Sequence, residues 1–407
     1  MSRKIKFLEN IIAPHLQNNQ KIISCDFDNL LSAGENYGSV MLQITIKLQN
    51  DNGDEENIYC VGKTVPPSEM LWNLFNTKIT FKKEIAIYKT IVPELNKYGE
   101  ECGVKNLIKF TAKCFGARIS LDPSSEEVDH DAVILLENLK TQNYKVCDRL
   151  NGFDEECSKL LLGDLATMHA AVIGYKYAQP VGFERKIYPF LKKAYAFNVT
   201  ESFADNFAAV IKNACAKNPD CIPHLHKITK ALREINYYNE NPVKGKDIFA
   251  TLTHNDYWVN NTLLKFEDGK PIANKMVDFQ LIEYSSLAHD VIFFLYTSVN
   301  MDVLENKVDE LIKFYYDKFM ETLTKLGHPT TEYSFESMLE EFAIIAKYGQ
   351  FSHLLYMFVP ICMLKGKVKS LSKFDLNELI FEESSMHENY FRRMQFTLID
   401  FSRRGWI

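Results

Sequence analysis

The stretch LTHNDYWVNN at residues 252–261 gathers a histidine, an aspartate and three asparagines between two apolar segments. It runs directly into TLLKFEDGKPIANKMVDF at residues 262–279, which has the pattern of strand, turn and strand with an Asp-Gly pair in its middle. Asp-Gly between two strand-like segments is a strong signal for a β-hairpin. Because the turn lies midway between positions 261 and 278, a regular hairpin would bring Asn261 and Asp278 side by side at its open end.

This arrangement has the chemistry of a site for a metal ion and a phosphate. An amide oxygen and a carboxylate suit Mg²⁺, which keeps several waters and bridges the phosphates of a substrate. Asp256, five residues before Asn261, could accept or orient the proton of an attacking hydroxyl group. The alternative is structural, since Asp caps turns and Asn tolerates unusual backbone angles. The combination of three such residues at hairpin spacing favours the functional interpretation.

The bulk composition excludes several classes of protein. A length of 407 residues suggests two domains or lobes, and 46% hydrophobic with 25% charged residues is typical of a globular chain. The balance of 47 basic against 53 acidic residues gives a net charge of −6, so we expect no nucleic-acid partner. Nine scattered cysteines without a C-x-x-C pair indicate free thiols in a reducing compartment.

The apolar patterns give no sign of a membrane protein. The longest apolar run, residues 351–364, is shorter than the roughly 20 residues that span a bilayer, and it contains His353 and Pro360. The charged start of the chain lacks the apolar region of a signal peptide. We therefore expect a cytoplasmic protein without a membrane partner, and a monomer by default.

Periodicity divides the chain into a small β-rich lobe and a larger helical lobe. SVMLQITIKLQ, residues 39–49, alternates as a half-buried strand, and residues 58–65 form a second strand candidate after a turn. Residues 79–99 have helical spacing, with Pro93 as a possible kink or end, and residues 131–139 read as another strand. From residue 155 the pattern is mostly helical. The prediction is an α+β fold with lobes at 1–139 and 140–407.

Two charged residues lie in apolar surroundings within the small lobe. Lys63 shares a strand face with Tyr59 and Val61, and Glu84 lies beside the apolar stripe of the helix at 79–99. Buried charges need partners, so Lys63 and Glu84 could pair with each other. Each could equally extend to solvent along its apolar stem.

Several quoted segments resemble one known family. HNDYWVNN resembles the catalytic loop of kinase-like phosphotransferases, and VDFQ resembles their metal-binding segment. HNDYWVNNTLLKF, MVDFQLIEYSSLAHDVIFFLYTS and FKKEIAIYKTIVPEL are similar to the ecdysteroid-kinase-like (CHK-kinase-like) family, which is related to choline kinases and aminoglycoside phosphotransferases. The resemblance runs from about residue 32 to about residue 393.

The resemblance implies a bilobal protein-kinase-like fold with ATP between the lobes. By position, Asp256 would be the catalytic base, and Asn261 and Asp278 would hold Mg²⁺. The positions that would meet ATP are Lys63 with Glu84 at the α- and β-phosphates, the backbone of Glu137 to Leu139 at the adenine, and Gly34, Gly38 and Ser39 over the phosphates. His254 and His169 would have structural roles. The chain departs from the usual family pattern at Gly62, Asn138 and Asn255.

The resulting prediction is an ATP-dependent small-molecule kinase. It would transfer the γ-phosphoryl group to a hydroxyl of an apolar acceptor such as an ecdysteroid or a xenobiotic. The alternative is a non-catalytic protein that binds a nucleotide or steroid on the same fold. A third interpretation, metal-dependent hydrolysis, starts from His289-Asp290, but the sequence supplies no further ligands at a suitable spacing. Asp290 is more consistent with bracing a helix.

Overall fold

The N-terminal lobe is built on a five-stranded antiparallel sheet in the order β1-β2-β3-β5-β4. The computed structural model describes residues 4–17, 19–30, 39–194, 198–364 and 383–407, so Gly34 and Gly38 lie outside the described residues. The strands of this sheet are β1 Gln20–Asn29, β2 Val40–Asn50, β3 Glu55–Thr64, β4 Cys114–Arg118 and β5 Val133–Glu137. The predicted hairpin in this lobe is β2–β3, in which Met41 pairs with Lys63.

The alternating face of β2 is buried, as predicted, and the N-terminal helix covers it. Leu42, Ile44, Ile46 and Leu48 are fully buried against α1, Leu8–Ile12, and the segment before it. Gly62 on β3 belongs to this outer face. A Cβ there would lie 2.8 Å from Ile5 Cδ1 and 2.9 Å from Ile44 Cδ1, so a side chain would collide with this layer. The family departure at Gly62 therefore has a packing reason.

The helix predicted at residues 79–99 continues through Pro93. It consists of α3, Thr77–Ala86, a π turn at Ile87–Ile91, and α4, Val92–Glu101. Pro93 stands in the first turn of α4, where its missing N–H group and fixed φ are tolerated after the wider π turn. Of the two alternatives at Pro93, a kink or an end, the end is excluded. A shorter helix, α2 at Glu69–Leu74, precedes α3.

The C-terminal lobe is mainly helical around a core of two long helices. α5 and α10 pack along each other, and the apolar stripe of each is buried. The described helices of this lobe are α5 Glu155–Ala178, α6 Pro180–Lys186, α7 Glu201–Cys215, α8 Leu225–Glu240, α9 Ala288–Ser298, α10 Met301–Lys325, α11 Phe335–Ile345, α12 Phe351–Cys362 and α13 Asn389–Arg403. In the described ranges, no helix is both long and apolar enough to cross a bilayer.

Two small antiparallel sheets carry the loops of the site. One joins β6, Tyr144–Lys145, to the hairpin β8–β9, Thr262–Glu267 and Lys270–Met276. The other pairs β7, Ala250–Thr253, with β10, Glu283–Ser286. Together with the β-rich N-terminal lobe and the helical C-terminal lobe, this is the α+β, bilobal, protein-kinase-like fold that the sequence predicts.

The connection between the lobes follows β5. The chain leaves the five-stranded sheet at Glu137, forms a short 3₁₀ helix at Leu139–Gln142, and then pairs through β6 with the C-terminal hairpin. We propose that the lobes divide at residue 139, as the sequence suggests. The packing between them is continuous, because residues of α3 and α4 belong to the same apolar core as α5 and α9.

Candidate active site

Lys63 lies at the centre of a buried ion-pair cluster. Its Nζ is 2.5 Å from Glu84 Oε2 on α3 and 2.8 Å from Asp278 Oδ1 in the C-terminal lobe. The Lys63 and Glu84 side chains are only 3% and 1% exposed, so neither extends to solvent. The structure thus brings together the strand lysine, the helix glutamate and the aspartate after β9.

The cluster holds two carboxylates around one ammonium group. Burial alone would lower the pKa of Lys63, but Asp278 and Glu84 raise it above its usual value, so the lysine is charged. Burial raises the pKa of Glu84 against the opposing effect of the Lys63 ammonium. Breaking such a buried pair leaves an uncompensated charge, so each partner depends on the others.

The hairpin β8–β9 positions Asn261 and Asp278 at its open end, with one shift from the predicted pairing. Its turn residues, Asp268 and Gly269, both have positive φ angles, of 48° and 79°. Glu267 pairs with Lys270 at the turn, and a register shift between Lys265 and Phe266 then moves the pairing one residue towards the predicted one, so Thr262 faces Met276 and the N–H of Val277 donates to the carbonyl of Asn261 at 3.0 Å. Asp278 therefore follows the residue opposite Asn261.

Asp256 and Asn261 are joined by their side chains. The Nδ2 of Asn261 donates to Asp256 Oδ2 at 2.7 Å and to the Asp256 carbonyl at 2.8 Å. Two acceptors at one end of the amide fix its orientation, which leaves Oδ1 of Asn261 available as a ligand. Asp278 has a left-handed backbone, φ 64° and ψ 62°, that turns the chain away from β9.

The donor set fits a divalent cation. Burial raises the pKa of Asp256 well above its usual value, and the negative charge of Asp278 adds to this effect. Repulsion between neighbouring carboxylates is what a bound cation relieves. The oxygen donors that meet here are the Asn261 amide and the Asp278 carboxylate, and in the described ranges no group of three or more His, Cys, Asp or Glu could hold a metal ion. Mg²⁺ binds in this way, through one or two carboxylates, waters and substrate phosphates.

Asp290 fixes the backbone of the loop that carries Asp256. Its Oδ2 accepts from the N–H of His254 at 2.6 Å, and its Oδ1 accepts from the N–H of Asn255 at 2.8 Å. His169 Nε2 lies 3.2 Å from the same carboxylate, and His169 Nδ1 lies 2.7 Å from the Tyr315 hydroxyl. Burial alone would raise the pKa of Asp290, but these hydrogen bonds lower it below its usual value. The dipeptide that suggested a hydrolase thus braces the loop.

His254 and Asn255 connect this loop to the segment around Asp278. His254 accepts from the N–H of Asp256 at Nδ1, 3.3 Å, and its Nε2 lies 3.0 Å from the Val277 carbonyl. A carbonyl can only accept, so the proton is on Nε2, and burial lowers the pKa of His254, consistent with a neutral ring. Asn255 has φ 61°, and its Nδ2 donates to the Leu281 carbonyl at 3.0 Å. Asn adopts this left-handed angle more readily than most residues.

The connection after β5 forms the edge expected to meet an adenine. The N–H groups of Glu137 and Asn138 already donate to the carbonyls of Lys113 and Tyr59. The N–H of Leu139 lies in the first turn of a 3₁₀ helix, where N–H groups have no partner within the helix. The Asn138 side chain caps this helix by accepting from the N–H of Lys140, a role that an aspartate at this position would fill equally well. Leu139 is therefore the best-placed donor among the three.

A cavity of about 1910 Å³ is lined by the ion-pair cluster, the Asp256–Asn261 pair and the connection after β5. Its described lining includes Lys63, Glu84, Leu139, Asp256 and the pair Asn261 and Asp278. It also includes Met41, whose Sδ accepts from the Ser39 hydroxyl at 3.7 Å, but not Ser39 itself. Ligand pockets usually measure roughly 300–1,000 Å³, so this cavity has room for two ligands.

The far wall of the cavity is aromatic. Phe203, Phe207 and Tyr356 stack with ring centroids 5.1–6.0 Å apart and planes within 17° of parallel. α12 presents one face to the cavity, including His353, Tyr356 and Met357, while Leu354 and Phe358 on its other face are core residues. The apolar run of α12 therefore serves both as pocket wall and as core.

Sequence reasoning missed two positioning residues. Asp290 was associated only with a helix or a metal, although it braces a loop 35 residues away. Helical periodicity gives Lys83 no role, yet its buried ammonium donates to the Ile282 carbonyl at 2.7 Å and joins α3 to the segment after Asp278. The only available signal for Lys83 was its position beside Glu84 in an otherwise apolar helix.

The fold and this site define the class of kinase-like phosphotransferases that act on small molecules. The chain belongs to the ecdysteroid kinase-like family, whose model matches residues 33–328. A search of curated proteins gives no match.

Two solved structures are similar to the chain. A GDP complex of an aminoglycoside 2'-phosphotransferase-IIIa mutant covers 98% of this chain and 99% of its own length, at 11% identity and a TM-score of 0.42. The GDP and kanamycin complex of APH(2")-IIia covers 88% and 93%, at 13% identity and a TM-score of 0.39. The family assignment rests on the family match, and the fold on the sheets and helices described above.

Proposed function

We propose that the protein transfers the γ-phosphoryl group of ATP to a hydroxyl group of an apolar small molecule, such as an ecdysteroid or a hydroxylated xenobiotic. One observation carries the proposal. The cluster of Lys63, Glu84 and Asp278, the Asp256 carboxyl and the aromatic wall line the same cavity. A nucleotide at one end and an apolar alcohol at the other would meet at Asp256.

The chain's own residues would act mainly by positioning and charge. Lys63, charged and held by Glu84, would bind the α- and β-phosphates, and Leu139 would donate to the adenine. Mg²⁺ held by Asn261 and Asp278 would supply positive charge to the phosphate oxygens. It would also offset the repulsion from Asp278 that adds to the effect of burial on the pKa of Asp256. Asp256 would then accept or orient the proton of the attacking hydroxyl group.

The charges on the acceptor side favour a neutral substrate. In the described lining at residues 188–250 and 283–363, the carboxylates are Asp247 and Glu283. Asp247 lies 3.7 Å from the Lys176 ammonium, and Glu283 faces the positive charges of Lys83 and Lys193. The negative charges of both carboxylates are therefore already compensated by lysines and are not available to a cationic acceptor. An uncharged alcohol needs no such partner. We therefore expect choline and aminoglycosides to be poor substrates.

Mass spectrometry of the purified protein with Mg·ATP tests the proposal. The panel contains ecdysteroids, other hydroxylated steroids, plant phenolics and choline. Asp256→Asn removes the proton acceptor and should reduce product formation by at least roughly a hundredfold while ATP binding remains. Asp268→Asn makes the same chemical change in the exposed turn of the same hairpin and serves as the control.

The outcomes separate the alternatives. A phosphorylated product from the intact protein and from Asp268→Asn, but not from Asp256→Asn, supports the kinase. Full turnover by Asp256→Asn would remove Asp256 from the mechanism. Binding of both ATP and an acceptor without any product would identify a non-catalytic binding protein instead.

A further inference from the structure

A break in the helical backbone places Gln350 beside the cavity. Between α11 and α12, Tyr348 has φ −118° and ψ 84°, and Gly349 has φ 91° and ψ −21°. A Cβ at Gly349 would lie 3.2 Å from Tyr238 Cβ, so both the angle and the space favour glycine. Irregular turns inside long helices are often found at functional sites. The residues of this break, Tyr348, Gly349 and Gln350, line the cavity, as does Tyr238, which packs against Gly349.

Gln350 and His289 form a reciprocal pair of hydrogen bonds. The Nε2 of Gln350 donates to the His289 carbonyl at 3.3 Å, and its Oε1 lies 3.2 Å from His289 Nδ1. The first bond fixes the orientation of the amide, so its oxygen faces the ring. An amide oxygen can only accept, and Nδ1 of His289 therefore carries the proton. Gln350 is 3% exposed, so solvent does not compete for these bonds.

This pairing leaves Nε2 of His289 as a hydrogen-bond acceptor at the cavity. Burial lowers the pKa of His289, which keeps the ring neutral. In a neutral ring with its proton on Nδ1, Nε2 has a lone pair and no proton. Across the described part of the chain, the only hydrogen bond at a ring nitrogen of His289 is the one between Nδ1 and Gln350. Its natural partner is an O–H group supplied from the cavity.

His289 is also tied to the catalytic loop by the chain itself. It precedes Asp290, whose carboxylate fixes the N–H groups of His254 and Asn255, immediately before Asp256. A ligand that bonds to His289 is thus held by the same segment, His289-Asp290, that positions the loop with the proposed base. Nearby, the His353 ring stacks on Phe293 at 5.3 Å and 12°, and the aromatic wall of Phe203, Phe207 and Tyr356 supplies apolar surface.

We propose that Nε2 of His289, held by Gln350, accepts a hydrogen bond from a hydroxyl group of the acceptor substrate and so determines specificity for hydroxylated apolar compounds. This assignment rests on the proposed function for the identity of the ligand as an acceptor. A ketone or an ether at the same place offers no proton and leaves the lone pair of Nε2 unpartnered. His289 is half-buried, so a bound ketone or ether would cover Nε2 without giving it a partner, which we expect to weaken binding by roughly tenfold or more.

Calorimetric titration without nucleotide tests the assignment. The probes are ecdysone and estradiol, each with its O-methyl ethers as matched ligands that lack one O–H donor. His289→Asn is the informative variant, because its amide can still donate to Gln350 in place of Nδ1 but has no counterpart of Nε2. His226→Asn, at an exposed histidine on α8, is the matched control. Thermal unfolding of both variants verifies that they fold.

The expected result is a coupled loss. The intact protein and His226→Asn bind at least one probe alcohol, and methylation of one hydroxyl weakens binding roughly tenfold or more. His289→Asn binds the parent alcohol as weakly as the intact protein binds that ether, and it no longer distinguishes the two. A purely structural His289 would change the melting temperature without removing this discrimination.

Two results would overturn the assignment: discrimination by His289→Asn equal to that of the intact protein, or no binding of any probe alcohol by the intact protein. The proposed function fails separately. If the intact protein distinguishes the alcohol from its ether, His289→Asn does not, and no phosphorylated product forms, the kinase is refuted and His289 remains the hydroxyl-binding residue. Product formation with unchanged discrimination in His289→Asn refutes only the role of His289.

Discussion

Asp290 shows how one buried carboxylate can organise a loop. Both of its oxygens accept backbone N–H groups from consecutive residues, His254 and Asn255, and the side chain is fully buried. Hydrogen bonds to a charged group are stronger than neutral ones, and a donor left without its partner in the interior is costly. The position of Asp256 therefore depends on a residue that takes no part in the chemistry proposed for it.

Replacement of Asp290 by asparagine should loosen this loop. The new amide presents an NH₂ group to one of the two N–H donors, so we expect the free energy of unfolding to fall by roughly 2 kcal/mol. Phosphoryl transfer should fall as well, because Asn255 and Asp256 lose a fixed backbone. Urea denaturation measures the first effect. Asp268→Asn is the exposed control, and equal stability of the two variants would contradict the bracing role.

The glycines illustrate why local sequence underdetermines packing. Gly152 and Gly269 both have positive φ angles, 73° and 79°. A Cβ at Gly152 would lie 2.7 Å from the Ser298 carbonyl oxygen, whereas nothing lies within 4 Å of one at Gly269. An alanine would strain the backbone at both positions, but only at Gly152 would its Cβ collide with the end of α9.

At the scale of elements, this contrast gives a matched pair of substitutions. Gly269→Ala should cost roughly 1–2 kcal/mol, the penalty of a left-handed alanine. Gly152→Ala should cost about 2 kcal/mol more, because the turn before α5 must move away from the end of α9. Denaturant titrations of the two variants give the difference directly. Equal losses would show that the turn at residue 152 relaxes freely.

Lys83 joins α3 of the N-terminal lobe to the segment after Asp278. Its buried ammonium donates to the Ile282 carbonyl, and burial lowers its pKa to about 8, with Glu283 opposing the shift. The helix that carries Glu84 is therefore fixed at its C-terminal-lobe side by the residue next to Glu84. Helical periodicity does not predict this contact between Lys83 and Ile282.

The lowered pKa of Lys83 has a consequence for stability. Between pH 8 and its ordinary value near 10.5, the unfolded chain binds more protons at this lysine than the folded chain. Stability therefore rises with pH in this window, with a slope of at most about 1.4 kcal/mol per pH unit. Lys83→Met should lack that rise. The difference between the two unfolding free energies, measured across the window, cancels other titrating groups, and a flat difference would contradict the lowered pKa.

At the scale of the whole molecule, the cavity between the lobes predicts coupling between ligand binding and stability. The cluster at Lys63 draws Glu84 from one lobe and Asp278 from the other. A ligand that binds only the folded protein raises its stability by about 2.7 kcal/mol when present at about one hundred times its dissociation constant. We expect Mg·ATP to raise the melting temperature in this way.

Lys63→Met should abolish this stabilisation and also destabilise the ligand-free protein. Loss of the Lys63 ammonium leaves two carboxylates without their cation, and we expect the free energy of unfolding to fall by roughly 3 kcal/mol or more. Lys78→Met, at a lysine that is 62% exposed, is the control. Differential scanning calorimetry with and without Mg·ATP measures both effects. A normal nucleotide response in Lys63→Met would remove Lys63 from the nucleotide site.

Elements whose pattern is local could be predicted from the amino-acid sequence. The alternation of β2, the Asp-Gly turn of the β8–β9 hairpin and the long helical stripes follow from periodicity and turn chemistry, and all three are present in the structure. The spacing also predicted that Asn261 lies close to Asp278, and in the hairpin Asn261 lies opposite the residue before Asp278. The family followed from short motifs in a fixed order, and it is confirmed.

Tertiary structure alone decided which distant groups meet. Spacing predicted equally that Lys63 pairs with Glu84 or extends to solvent. In the structure both side chains are buried between the lobes, so they pair. The contacts of Asp290 with the loop that carries Asp256, of Lys83 with Ile282 and of Gln350 with His289 join residues far apart in sequence. Periodicity describes one element at a time, whereas these contacts depend on how several elements pack, because burial makes every polar group find a partner.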